Sequence, residues 1–445
     1  MNQTGVRWTT DQVLALAPDA ASRTAGTKLG VAGPWSETGA GSAGAVWGLC
    51  RGSGSTPYRT VVDTTGPAST CSCPSRKFPC KHALGLLLLW AADRRAVAQA
   101  EEVPDWAGTW LAGRRERAAG RAGEAAAPAD PAAAGRRAER RAERITAGAV
   151  ELEQRLTDLL RGGLASAEQP GYGMWEETAA RMIDAQAPGL AGRVRELGAI
   201  PGSGPGWPVR LLEESALLHL LNAAWLGRDR LPEPLAATVR TRVGLPSSAG
   251  GTPVRDHWMV LAQDDSWDGR LVTRRIRLYG RDSGRSALVL SFGAAGRSPQ
   301  LGLPVGLMVE AEVIPHTGAG QLRADWGAQF GVPSPIEEPP PGGSTRAAIE
   351  AYGSALGTDP WLESVPVTLR DVIPLPVMGG DWQLADADGG SALPVAPAAL
   401  SRPGLWKLAA LSGGGPVTVF GECGHRGFHP LTAWSPEIPG TVPLT

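Results

Sequence analysis

Cys71-Ser72-Cys73-Pro74-Ser75-Arg76-Lys77-Phe78-Pro79-Cys80-Lys81-His82 holds three thiols and one imidazole in the order C-x-C-x6-C-x-H. Zinc takes four tetrahedral ligands of this kind, and a Cys3His set fills its shell without an open position. Residues two apart in an extended chain point to the same side. Cys71 and Cys73 can therefore present both sulphurs to one ion, and Cys80 and His82 repeat the offset. Pro74 and Pro79 in the spacer favour a tight return over a helix. The run Lys81-His-Ala-Leu-Gly-Leu-Leu-Leu-Leu-Trp-Ala-Ala92 follows and reads as a buried helix with His82 in its first turn. The competing reading, a redox-active or simply reduced cysteine cluster, leaves both His82 and the helix unexplained.

In front of the knuckle, residues 45–63 read as a hairpin: Ala45 to Cys50, a Gly/Ser/Pro turn, then Tyr58 to Asp63. The whole segment, about 45–95, resembles the SWIM zinc finger, in which C-x-C and C-x-H flank a variable spacer and the second pair opens a hydrophobic helix. Cys71, Cys73, Cys80 and His82 stand at its four ligand positions, and Pro79 to Leu89 and Pro57 to Asp63 match its context. The resemblance implies one structural Zn2+. More broadly, Trp8 to Trp434 is similar to bacterial proteins that carry one such finger near the N-terminus. Those proteins are associated with MoxR-type AAA ATPases and von Willebrand A-domain proteins, which the resemblance implies as partners. SWIM fingers also occur in transposases and chromatin-remodelling ATPases, so protein and nucleic acid both stay open as targets.

The 445 residues are enough for two or three domains with their own cores. Net charge is −1, so a case for nucleic acid must rest on a local patch. One such patch surrounds the knuckle. From Cys71 to Ile145 there are 14 Lys/Arg against 9 Asp/Glu. Arg76, Lys77, Phe78 and Lys81 are the candidate contact residues for a partner or for phosphates. The bland reading of the same charges is a solvated helix, since Arg136 to Arg144 is interleaved with Glu139 and Glu143. No apolar run is long enough to cross a membrane, and the polar start lacks a secretory core. The expected location is the cytoplasm, where clustered cysteines favour metal over disulfides.

Composition divides the rest. Residues 1–117 form the N-terminal domain, ending in an amphipathic helix over 103–117 with Trp106 and Trp110 four apart. Residues 118–134 are almost entirely Ala, Gly, Pro and charge, which predicts a flexible linker. Residues 135–250 read as all-α, with helices at 136–161, 174–186, 189–198, 208–226 and 232–243. In the first of these, Ile145, Ala149, Leu152, Leu156, Leu159 and Leu160 mark one apolar face. Residues 251–445 read as one antiparallel β-rich domain, a twisted sheet or partial barrel. Its strands are expected at 257–262, 270–279, 286–292, 309–314, 366–373, 381–385, 405–411 and 416–421, with a helix near 344–356.

Other chemistry-bearing groups have bland readings. Cys423, His425 and His429 offer three ligands in seven residues, but a polar turn after a strand explains them. Cys50 reads as a small core residue. Gly413-Gly-Gly415 lacks the Lys-Ser/Thr of a phosphate loop. His219 reads as a helix-core or helix-edge histidine, and His257 and His316 have no nameable partner. The tryptophans, 16 against 5 Phe and 4 Tyr, read as core, with an exposed subset available to a partner. The expectation is an α+β multidomain, non-enzymatic zinc-binding adaptor that meets a protein. The alternative is DNA binding through the basic face of the finger.

Overall fold

The computed structural model describes residues 7–445 apart from 15, 19, 42–43, 53, 66–67, 76, 124–130, 165–166, 168–171, 247–249, 268–270, 295–298, 300 and 319–321. The chain opens with α1 (Thr10–Leu14) and α2 (Ala20–Leu29). Thr9 caps α1: the Gln12 N–H donates to Thr9 Oγ1 at 3.2 Å, and the Thr9 N–H donates to Gln12 Oε1 at 2.8 Å. Four strands follow, β1 (Trp35–Ala40), β2 (Ala45–Cys50), β3 (Tyr58–Asp63) and β4 (Ala68–Cys71). They pair antiparallel in sequence order. The expected hairpin is β2–β3. The flanking strands were not legible, because β1 is mostly polar and β4 is only four residues long.

α3 (Lys81–Ala92) is the pivot of this unit, and every residue from His82 to Trp90 is buried. One side meets α1 and α2, the other meets the sheet. Its seat against α2 needs glycine. A Cβ on Gly85 would lie 2.5 Å from Leu29 Cβ, and one on Gly26 2.8 Å from Leu84 Cβ. α4 (Asp105–Gly123) covers the far face of the sheet, where Ala107 and Leu111 pack with Trp47 and Val61.

The Ala/Gly/Pro stretch expected as a linker departs from that reading at both ends. α4 continues to Gly123 and α5 (Pro131–Gly162) starts at Pro131, while 124–130 lie outside the described residues. Alanine and arginine are good helix formers, and they outweigh the scattered glycines. α5 packs with α6 (Tyr172–Asp184), α7 (Pro188–Ala199), α8 (Trp207–Leu226) and α9 (Glu233–Val243) around one core. Ile145, Ala149, Leu152, Leu156 and Leu159 are buried there. Leu160, expected on the same face, is exposed, because it lies one helical step, about 100°, past Leu159.

The β-rich remainder holds both a closed barrel and a separate sheet, where one twisted sheet or partial barrel was expected. β5 (Val254–Trp267), β6 (Leu271–Gly280), β7 (Ser286–Ala294), β8 (Leu307–Pro315) and β9 (Arg323–Pro335) close a barrel in the order β5-β6-β7-β9-β8. All its pairs are antiparallel except β7–β9, which is parallel. After α10 (Thr345–Leu356) come β10 (Ser364–Pro376), β11 (Trp382–Asp386), β12 (Ala392–Pro394), α11 (Pro397–Leu400), α12 (Pro403–Ser412), β13 (Val417–Gly424), β14 (Gly427–Trp434) and β15 (Val442–Pro443). These strands form a six-stranded sheet, β12-β11-β10-β13-β14-β15. The strand expected at 405–411 is helix α12. Pro403 stands in its first turn, Leu405 and Leu408 bury one face, and Gly413 closes it in the left-handed region at φ 54°.

The apolar run in β5 is continuous because both its faces are covered. Trp258 and Val260 point into the barrel, whereas Met259 and Leu261 pack outward on Phe420, Leu431 and Trp434 of the sheet. The barrel also meets the N-terminal unit. Leu307 of β8 belongs to the core around α3, and Leu16, Phe78, Pro79 and Leu87 line a small crevice with Arg274 and Gly302.

Candidate metal centre

Two elements and one bend bring the four ligands together. Cys71 ends β4, and Cys73 lies in the bend just beyond it. Cys80 is the N-cap of α3, with extended backbone (φ −74°, ψ 166°), and its sulphur accepts the Ala83 N–H at 3.5 Å. A thiol here does what an Asp or Ser does at other helix starts. His82 follows in the first turn, as expected. The three sulphurs and one imidazole nitrogen all lie within 4.8 Å of one another, and Cys71 Sγ is 3.6 Å from His82 Nδ1. A zinc tetrahedron with bonds of about 2.0–2.3 Å has edges of about 3.3–3.8 Å, so the donor set fits this ion in both number and spacing.

The surroundings favour the thiolate form at Cys71 alone. Cys80 donates to Cys71 and, with His82 and the Thr60 hydroxyl, holds the Cys71 thiol down at about 3, against the burial that opposes it. The same contact with Cys71, followed by burial, pushes the Cys80 thiol up, and burial raises Cys73. A bound cation would favour the thiolate form of all three sulphurs. Thr60, buried on β3, sits 3.3 Å from Cys71 Sγ, and the Tyr58 ring lies 4.8 Å from the His82 ring, tilted 34°. Neither was found by reading the motif. The register Thr60↔Cys71 carries the signal, and it needs β4 to be known.

The candidate contact residues differ in exposure. Lys77 and Lys81 are exposed, Phe78 is half-buried against the barrel crevice, and Arg76 lies outside the described residues. Residues 58–91 match the SWIM zinc finger. Residues 140–243 match the SWIM-associated four-helix bundle domain, and that span closes at the last residue of α9. No curated protein and no solved structure gives a match. The SWIM finger's Cys71, Cys73, Cys80 and His82 are arranged to bind one metal ion, consistent with a single zinc. When bound, that ion supplies cross-linking of β4 to α3 and no reactive position.

The other cysteine and histidine group is not a centre. Cys423 pairs with Phe428 and faces the sheet's core, whereas His429 pairs with Glu422 on the opposite face. His425 lies beside the Tyr352 hydroxyl at 3.4 Å. One other group converges among the described residues: Asp256, His257 and Asp282. Its geometry serves a turn. Buried Asp256 accepts N–H groups from His257, Asp282 and Ser283 at 2.6, 3.0 and 2.9 Å, and His257 Nδ1 meets Asp282 at 2.6 Å. His316 meets Asp325 at 2.8 Å and His219 meets Glu153 at 2.6 Å, so each of the three isolated histidines has a carboxylate. No helix among the described residues is long and apolar enough to cross a membrane.

Proposed function

We propose that this chain is a non-enzymatic zinc-binding adaptor whose finger is architectural and whose partner is a protein. The exposed stripe on α8 carries the reading. Val209, Leu212, Ala216, Leu220 and Ala223 recur at steps of three and four, and Val209, Leu212 and Leu220 are 61%, 48% and 45% exposed. The opposite face of α8 (Leu211, Leu218, Leu221 and Trp225) fills the bundle core. The helix is thus apolar on two faces and covered on one. The stripe spans about 21 Å at 1.5 Å per residue, the length of a helix-in-groove contact. The finger offers no comparable surface, because α3 is buried from His82 to Trp90.

The partner is a MoxR-type AAA ATPase or a von Willebrand A-domain protein. Affinity purification from the native host, with identification of the retained proteins, tests it. Leu212→Asp with Leu220→Asp abolishes retention and leaves the melting temperature unchanged. Retention of neither protein class by the wild type defeats the partner assignment, and undiminished retention by the double variant moves the contact off α8. DNA binding through the finger is the second reading, supported by the exposure of Lys77 and Lys81. It requires salt-sensitive binding that Lys77→Ala with Lys81→Ala removes.

A further inference from the structure

β3 gives the metal centre no ligand, yet two of its residues touch two of the four. Thr60 lies opposite Cys71 in the register, with its hydroxyl 3.3 Å from the sulphur. Tyr58 stands two residues earlier, so it shares that strand face, and its ring lies 4.8 Å from the His82 ring. The Tyr58 ring also meets the turn before β3, where a Cβ on Gly52 would lie 2.6 Å from Tyr58 Cε2. One strand therefore reaches a ligand from each pair, Cys71 of C-x-C and His82 of C-x-H.

Thr60 is the residue that packing alone does not explain. It is buried at 0% exposure, immediately before the core residues Val61 and Val62. A hydroxyl taken out of water costs about 1–3 kcal/mol unless it is hydrogen-bonded. Valine has nearly the same shape without that cost and suits a strand equally well. Among the described residues, the Cys71 sulphur is the one hydrogen-bond partner of the Thr60 hydroxyl.

The sulphurs differ in what they accept. Each takes one backbone N–H: Cys71 from Cys73, Cys73 from Ser75 and Cys80 from Ala83. Cys71 alone adds a hydroxyl. Three thiolates and a neutral imidazole around a dication leave one negative charge in excess, and donors to the sulphurs disperse it. A thiolate carries no proton to give, so at the loaded centre the hydroxyl is the donor.

We propose that Thr60 is a positioning residue of the metal centre, its hydroxyl donating to the Cys71 thiolate and setting how tightly the finger holds its ion. The backbone N–H groups come with the fold of the knuckle and would serve any sequence there. The hydroxyl comes from a side chain on a neighbouring strand, so a single substitution removes it and leaves the four ligands in place.

Competition between the full-length protein and a chromophoric chelator, near neutral pH, reads zinc affinity. Loading with cobalt(II) reads the thiolate-to-metal charge-transfer band. Thr60→Val keeps the shape and removes the hydroxyl, and it lowers affinity about 10- to 100-fold. It also moves the band to lower energy, because a sulphur without its donor gives up charge more readily. Thr60→Ser restores both. Tyr58→Phe, which removes a different hydroxyl from the same strand face, changes neither. Melting temperatures of the metal-saturated proteins confirm that each variant is folded. Wild-type affinity and an unmoved band in Thr60→Val overturn the assignment. An equal loss in Thr60→Ser also overturns it, by placing the effect in the missing methyl and its packing. Lower affinity with the band unmoved overturns it as well, since Thr60 would then act on the strand and not on the sulphur.

Discussion

The indole N–H of Trp361 donates to the carbonyl of Leu217, 3.0 Å away and 144 positions earlier in the chain. Trp361 is counted by packing among the core residues of the helical bundle, although the chain around it leads from α10 into β10. Asp359, also buried, accepts the Trp361 N–H at 3.1 Å and pairs with Arg242 at 2.6 Å. This short segment therefore plugs the sheet-bearing half of the chain into α8 and α9. Trp361→Ala should cost about 3–5 kcal/mol through the lost transfer energy and the cavity left behind. Trp361→Phe, which keeps most of the ring and loses only the indole hydrogen bond, should cost less, because the Leu217 carbonyl still accepts the Leu221 N–H within α8. Denaturant unfolding followed by helix and sheet signals checks both. A wild-type midpoint for the alanine variant removes the plug.

Metal removal should unfold the finger rather than merely empty it. Cys80 is at once ligand and helix cap, and α3 has no polar face with which to survive in water. In small zinc domains the metal supplies on the order of 10 kcal/mol of folding free energy. Chelation, or Cys80→Ser, should raise amide exchange across 58–91 and also around Leu307, whose side chain sits in the finger's core. Protection over 58–91 that survives a chelator would show the unit standing without its ion.

The parts read correctly from sequence share a physical property: their signal is local. The ligand quartet, the hairpin β2–β3 and helices α5 to α9 each declare themselves through spacing, capping or a 3.6-residue period. What was hidden is long-range. β1 and β4 carry no periodicity of their own and exist because β2 and β3 have open edges. Barrel closure depends on β7 meeting β9 across only the pairs Leu288↔Arg323 and Val289↔Ala324. The α12 sequence Pro-Gly-Leu-Trp-Lys-Leu-Ala-Ala-Leu contains a strand-like apolar density, and only Pro403 and Gly413 at its ends mark it as a helix. Nothing in the knuckle reveals that Phe78 lines a crevice with Arg274 and Gly302.

Arg277 joins the barrel to the sheet. Its Nε donates to Glu422 at 2.6 Å and its Nη1 to Asp264, with the guanidinium nearly buried. Burial opposes its charge, and the two carboxylates, Glu422 first, outweigh that and raise its pKa. Arg277→Met should therefore cost about 3–5 kcal/mol, chiefly from leaving two carboxylates without their cation. Adding Asp264→Asn and Glu422→Gln should recover most of the loss. If the triple variant is no more stable than the single one, the cost lies in packing and not in charge.

His429 gives the same junction a dependence on pH. It pairs with Glu422 across β13 and β14. Burial first, then Arg402, lowers its pKa from the ordinary histidine value, with Arg277 acting in the same sense and Glu422 and Asp264 against it. A folded pKa below the unfolded one means that the fold favours neutral imidazole. That contribution is complete above about pH 6.5, the unfolded value, and is lost as pH falls through the lower folded value, because the unfolded chain then binds the extra proton. His429→Gln cannot take up that proton. Its stability should fall less steeply than the wild type's as pH drops from about 6.5 to 5, a comparison made by thermal melts in matched ionic strength. A wild-type-minus-variant difference that stays constant across the window would assign the acid sensitivity to another group.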